Sequence, residues 1–134
     1  MAPVILKCNT IEKSYFDGDR KLLILKEVSF QVKQGEFVAI MGASGCGKST
    51  LLNILGLIDK PTKGELWLDG ERTDLLSEMA INLIRNKKIG LVFQAYHLIP
   101  ELNALENVLL PFLTSNDSSF LKKICEKNAL MLLD

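Results

Sequence analysis

Apolar and polar positions change period several times along the chain, and each change marks an element. Val4 to Leu6 followed by Cys8 and Ile11 reads as a first strand, closed by the turn residues Phe16-Asp17-Gly18-Asp19. Leu22 to Leu25, Val28, Phe30 and Val32 carry a second strand; Val28-Ser29-Phe30-Gln31-Val32 alternates as one buried and one wet face do, and Gln34-Gly35 is the turn after it. Phe37-Val38-Ala39-Ile40-Met41 is apolar at every position, the pattern of a parallel strand covered on both faces, and predicts the central strand of the fold. Leu51, Leu52, Ile54 and Leu55 recur at helical spacing in a helix from Ser49 to Leu57, stopped near Gly56 and then Pro61.

Beyond that helix, Lys60-Pro61-Thr62-Lys63-Gly64 is a turn. Glu65 to Leu68 alternates like a short half-exposed strand ending in the turn Asp69-Gly70, with Trp67 as a packing residue. A weak helix over Ser77 to Asn86 leads into the apolar strand Ile89 to Phe93, which ends at Gln94. Leu102 to Leu113 and Ser119 to Leu133 have helical periodicity, and the polar joint Thr114 to Ser118 supplies a cap for the second of them. The chain carries no internal repeat and no low-complexity tract.

Composition narrows the class. A chain of 134 residues with 48% hydrophobic content fits one domain with one core. Sixteen basic residues balance sixteen acidic ones, so no long-range field favours nucleic acid or an anionic membrane, and any anion site is local. The opening MAPVILKC lacks the basic and long apolar regions of a signal peptide, and no apolar stretch reaches bilayer-spanning length, which together predict a cytoplasmic protein. Cys8, Cys46 and Cys125 are widely spaced and lack a Cys-x-x-Cys pair, which predicts reduced thiols rather than a disulfide framework or a zinc site. His97 has no second ligand at metal spacing and is given no role.

The chemistry concentrates in Gly42-Ala43-Ser44-Gly45-Cys46-Gly47-Lys48-Ser49, which fits the phosphate-loop (Walker A) pattern G-x-x-x-x-G-K-[S/T] between an apolar strand and an amphipathic helix. Glycines let the backbone turn its amides inward, and the helix that follows adds the positive end of its dipole, so the loop forms a cage for phosphates. Lys48 neutralises the β and γ phosphates, the Ser49 hydroxyl is placed to ligate Mg²⁺, and Thr50 assists through a phosphate oxygen. Cys46 is a spectator whose backbone N–H serves the loop, because no partner base for a catalytic thiol is identifiable.

With that loop placed, the surrounding sequence resembles the ATP-binding subunit of an ATP-binding cassette (ABC) transporter. Lys13-Ser14-Tyr15 falls where that family puts an aromatic residue on adenine, and Leu25 to Phe30 followed by Gly35 to Ile40 resembles its lead-in to the phosphate loop. Val92-Phe93-Gln94 resembles the family's Q-loop, which implies that Gln94 reaches Mg²⁺ and the attacking water. Gly56 to Glu65 and Ala95 to Pro111 are similar to the branch that serves lipoprotein release and macrolide-type export. Taken singly, Tyr15 also reads as an edge-strand aromatic and Gln94 as a solvated strand end; their order around the glycine loop selects the functional reading.

The resemblance implies an α/β P-loop NTPase of ABC type with an N-terminal antiparallel β subdomain. Its expected layout is one domain: antiparallel β elements at 1–36 and 62–72, a phosphate-loop core at 37–60 and 88–94, and the start of a helical subdomain at 95–134. It also implies ATP and Mg²⁺ as ligands, a membrane-embedded permease partner at the inner face of the membrane, and a second ATP-binding subunit, with no nucleic acid partner. No Leu-Ser-Gly-Gly-Gln-like signature and no apolar strand ending in Asp-Glu (Walker B) follows Gln94; Met131 to Asp134 is only superficially similar to that strand. The expectation is therefore the front portion of the family's domain, truncated before both motifs, which binds Mg-ATP without hydrolysing it alone and is marginally stable in isolation. The alternative is a non-hydrolysing nucleotide-binding or interaction module. A small-molecule kinase, which shares the loop, explains neither Tyr15 nor the Gln94 region.

Overall fold

A computed structural model describes residues 2–113 together with Asn128 and Met131. The chain divides into two units, Met1–Gly90 and Leu91–Asp134.

The first unit is built on a long hairpin. Strand β1 (Val4–Asp17) runs through a turn at Gly18, whose φ of 57° suits glycine, into antiparallel β2 (Arg20–Lys33). Their register pairs Asp17 with Arg20, Tyr15 with Leu22 and Cys8 with Phe30, with shifts around Ile11 and Lys13 that bend the ribbon. On the other edge of β1 lies β3 (Lys63–Leu68), pairing Leu6 with Leu68 and Glu12 with Lys63. A two-residue strand, β4 (Glu71–Arg72), follows the Asp69-Gly70 turn and completes an antiparallel sheet of order β2-β1-β3-β4.

Two helices complete this unit: α1 (Lys48–Leu55) and α2 (Glu78–Lys88). The core gathers Cys8 and Ile11 of β1, Leu25 of β2, Leu66 of β3, Leu51 and Ile54 of α1, Leu57, and Ile81 of α2. Burying each of the larger aliphatic side chains contributes about 1.5–3 kcal/mol, so this cluster is what holds the helices to the sheet. Burial also pushes the Cys8 thiol up to about 11, consistent with an inert packing cysteine. Cys8 and Cys46 are both free thiols.

Side-chain pairs close the β3–β4 end. Arg72 bridges Glu65 at 2.8 Å and Asp74 at 3.0 Å, and Asp74 also accepts the Leu66 amide at 3.0 Å. Burial works to raise the Asp74 carboxyl, but the Arg72 and backbone hydrogen bonds outweigh it and leave it below the usual carboxylate range. Helix α2 begins at the Ser77 cap, whose hydroxyl accepts from Ala80 N, and carries Glu78 in its first turn and Arg85, Lys87 and Lys88 in its last, matching its dipole. Arg85 reaches back to donate to the Leu57 carbonyl at 2.9 Å.

In the second unit, α3 (Ala104–Leu113) starts from a reciprocal capping box: Glu106 N donates to the Asn103 side chain at 2.9 Å, and Asn103 N donates to the Glu106 carboxylate at 2.8 Å. The Asn107 side chain accepts from Ile99 N and donates to the carbonyls of Ile99, Leu102 and Asn103. The His97 ring meets Phe93 edge-on at 4.9 Å.

Two expected strands are corrected. Neither 37–41 nor 89–93 is paired into a sheet: Phe37 and Met41 are 96% and 88% exposed, Val92 is fully exposed, and Ile89 is the extended C-cap residue of α2. An all-apolar segment records the two-sided environment a central parallel strand occupies, but it forms a ladder only against hydrogen-bonding neighbours, and none is present for these segments among the described residues. The predicted helix over Ser119 to Leu133 and the joint before it lie outside the described residues apart from Asn128 and Met131, as does Cys125. No helix among the described residues is long and apolar enough to cross a membrane.

Candidate functional site: the glycine loop and its aromatic neighbour

The glycine loop lies between residues 41 and 48 and ends as the N-terminus of α1. Gly47 is the N-cap residue at φ 95°, and a Cβ there would stand 2.9 Å from Leu25 Cδ2 and 3.2 Å from the Ile24 carbonyl. Contact with β2 therefore demands glycine at this position, over and above its backbone angle. At Gly42 a Cβ would meet Cys46 Sγ at 2.8 Å, whereas at Gly45 (φ 78°) it would meet open space, so Gly45 is required by conformation alone. Cys46 N donates to the Ala43 carbonyl across the loop at 3.4 Å.

No side chain caps α1, and no acidic residue occupies its first turn. The helix closes its first turn through Leu51 N to Gly47 O at 2.9 Å, so the amides before Leu51 lack intrahelical partners. Uncapped donors with the dipole behind them favour an anion. Lys48 folds across the loop and donates to the carbonyls of Gly42 (2.9 Å) and Ala43 (2.6 Å), with Cys46 Sγ at 3.8 Å. Ser44 and Ser49 are exposed, and Thr50 is half-buried. Amide donors, a lysine ammonium and an exposed hydroxyl on the first turn form a donor set that suits a polyphosphate and a hard cation such as Mg²⁺.

Tyr15 comes to this end of α1 from β1. It is 43% exposed, its hydroxyl donates to Asp59 Oδ2 at 2.8 Å, and the Thr50 hydroxyl lies against its phenol oxygen. Lys13, two residues earlier on the same strand face, sets its ammonium 4.9 Å above the Tyr15 ring while pairing with Asp59 Oδ1 and the Lys60 carbonyl, both at 2.7 Å. Burial alone would raise the Asp59 carboxyl; hydrogen bonds from Lys13, Tyr15 and Lys60 N outweigh it and hold it below the usual range. The hydrogen bond to Asp59 in turn raises the Tyr15 phenol.

The structure thus brings Tyr15, Thr50 and the loop-bearing end of α1 together. Gln94 lies on an exposed bend of the second unit and joins the constellation only through its place in the sequence. Lys13 and Asp59 were not legible as site residues: they are 46 positions apart, and no local pattern announces their pairing. The signal for Lys13 was its i, i+2 relation to Tyr15. A cavity of about 260 Å³ borders the site at Asp59 and Lys60 and runs between Leu57, Pro61, Thr73 and Ile81, but it contains no residue of the glycine loop. Its Asp74 and Glu78 are already paired with Arg72 and Lys60, so the loop remains the candidate site.

Comparison with known proteins places this geometry in a family. Residues 25–134 match the ABC transporter family model. The lipoprotein-releasing system ATP-binding protein LolD of Aquifex aeolicus is 53% identical over 109 residues, 81% of this chain and 47% of that protein. LolD of Acinetobacter baylyi is 41% identical across all 134 residues, which cover 58% of it. Among solved structures, a dimeric structure of the bacterial ABC transporter cassette MJ0796 superposes with a TM-score of 0.87 at 44% identity, covering 95% of this chain and 55% of that one. A second, described as a post-hydrolysis state of the ATP-binding cassette MJ0796 bound to ADP and Pi, gives a TM-score of 0.83 with the same identity and coverage. The chain spans about half the length of the curated relatives it matches. It has the ABC ATPase fold and belongs to the ABC transporter family.

Proposed function

We propose that this chain is the ATP-binding portion of an ABC-type export system, holding Mg-ATP to power a membrane partner. The observation that carries the reading is the glycine loop closing onto an uncapped helix with Lys48 lying across it. In this reading the backbone from Gly42 through Gly47, with Ala43, Ser44, Gly45 and Cys46 contributing amides, cradles the phosphates. Lys48 would exchange its two carbonyl contacts for phosphate oxygens, Ser49 would hold Mg²⁺, with Gln94 the further Mg²⁺ contact that the family resemblance implies, Thr50 would support a phosphate oxygen, and Tyr15 would stack on the base.

Residues 1–134 supply binding, and turnover requires groups beyond them: a general base and a γ-phosphate contact, which the family takes from its Asp-Glu strand and signature motif and which no residue here matches. Cradling a phosphate provides only part of transition-state stabilisation; hydrolysis also needs an oriented water. The partners proposed are a membrane-embedded permease, which places the subunit at the inner membrane face, and a second ATP-binding subunit. The similarity to LolD proteins and to the dimeric MJ0796 structures supports both. The competing reading, a nucleotide-binding module without turnover, rests on the same unmatched motifs.

Isothermal titration of the chain with Mg-ATP tests the proposal. Lys48→Ala is expected to weaken binding by about tenfold to a hundredfold, the size of a charge-assisted hydrogen-bond loss. Equal affinity in the variant sinks the reading. Phosphate release in the presence of a permease-containing membrane fraction and an added segment carrying the signature and Asp-Glu motifs separates the ATPase subunit from the binding-only module.

A further inference from the structure

The Asp59 carboxylate accepts hydrogen bonds from three donors. Oδ1 accepts from Lys13 Nζ and from Lys60 N, each at 2.7 Å, and Oδ2 accepts from the Tyr15 hydroxyl at 2.8 Å. Asp59 sits on the segment leaving α1, where the amides of Ile58 and Asp59 donate to the Asn53 carbonyl, so it is fixed to the same helix whose other end carries the glycine loop. Lys13 is buried, and its ammonium is shared between Asp59, the Lys60 carbonyl and the face of the Tyr15 ring.

A Lys13–Asp59 pair would be enough to anchor β1 against the exit of α1. The Tyr15 hydroxyl adds nothing to that anchor; what it adds is a fixed tip for an exposed ring. With one face under the Lys13 ammonium and the tip on Asp59, the ring has one orientation and one face left for a planar ligand. A ring already immobilised gives up less rotamer freedom when a base stacks on it. We infer that Asp59 is a positioning residue for nucleoside recognition, setting the Tyr15 ring at a fixed place relative to the glycine loop. The inference rests on the proposal that Tyr15 meets the base, and it explains why a tyrosine rather than a phenylalanine stands there.

The test compares two ligands by titration calorimetry on the full chain: Mg-ATP, which needs ring and loop, and Mg-tripolyphosphate, which needs the loop alone. Asp59→Asn is expected to weaken Mg-ATP by about fivefold, the loss of one hydrogen bond's orienting effect, while tripolyphosphate affinity holds. Tyr15→Phe leaves the Lys13–Asp59 pair in place and is expected to give the same selective loss, with the double variant no weaker than either single one. Tyr15→Ala, which removes the ring, is expected to lose more. If Tyr15→Ala weakens ATP but Tyr15→Phe and Asp59→Asn bind as the parent does, Asp59 does not position the ring and the inference is wrong. If Tyr15→Ala also leaves ATP affinity intact, the base-stacking reading fails and takes the inference with it. Should Asp59→Asn lose both ligands through misfolding, Tyr15→Phe decides.

Discussion

Lys48 and Tyr15 show how differently single residues can be read. Lys48 announced itself, because a lysine directly after Gly45-Cys46-Gly47 and just before Ser49-Thr50 has few other uses, and the structure sets its ammonium on the Gly42 and Ala43 carbonyls. Tyr15 took its meaning from neighbours far away in sequence. Its phenol is raised by the hydrogen bond to Asp59, by partial burial and by the Asp59 charge, against a smaller lowering by Thr50. The deprotonated form would face a carboxylate, so ionisation is held off to higher pH. The phenolate absorbance is accordingly expected to show one tyrosine ionising above the ordinary range and to return toward it in Asp59→Asn; Tyr15→Phe identifies which transition belongs to Tyr15 rather than Tyr96. A titration unchanged by Asp59→Asn would mean that the 2.8 Å contact does not persist in solution.

Among the elements, those whose partners are local were the most legible. The β1–β2 hairpin, α1 and α2 each follow from a period plus a turn or cap within a few residues. The segments 37–41 and 89–93 misled because an apolar run specifies surroundings, and the run itself cannot provide them. The placement of β3 against β1 was also hidden, since pairing across some sixty residues leaves no local trace. Gly64 carries that pairing: its φ is 93°, and a Cβ there would stand 2.4 Å from the Thr10 carbonyl oxygen and 2.7 Å from that of Asn9. Neither contact can relax by rotating a side chain, because both are backbone. Gly64→Ala is therefore expected to cost at least about 2 kcal/mol, combining a forbidden dihedral with a backbone collision. Urea unfolding monitored by the fluorescence of Trp67, which lies on the same strand, measures it; a loss below half that size would show that β3 shifts to accommodate the methyl group.

At the scale of the whole molecule, each unit presents large apolar side chains to solvent: Phe37 and Met41 in the first, Val92 and Tyr96 in the second. Apolar segments with unpaired backbone invite association. The purified 134-residue chain is expected to bind an environment-sensitive hydrophobic dye at neutral pH and to self-associate as concentration rises. Phe37→Ser combined with Met41→Ser should reduce both signals, read by dye emission and sedimentation velocity. A parent chain that stays monomeric and dark with the dye would refute this.

Helix α1 is only eight residues long and has a glycine at each boundary, Gly47 before it and Gly56 after it. Neither end is gripped by a side-chain cap, so the direction of its axis is set from the middle, by Leu51 and Ile54 in the core, and from the exit segment, by Arg85 on the Leu57 carbonyl. The axis of a helix is also the axis along which its free amides point. Where this protein aims its anion donors is consequently decided by hydrocarbon packing several ångströms behind them, and a change at Ile54 that the sheet absorbs without unfolding would still turn the donors away from their target.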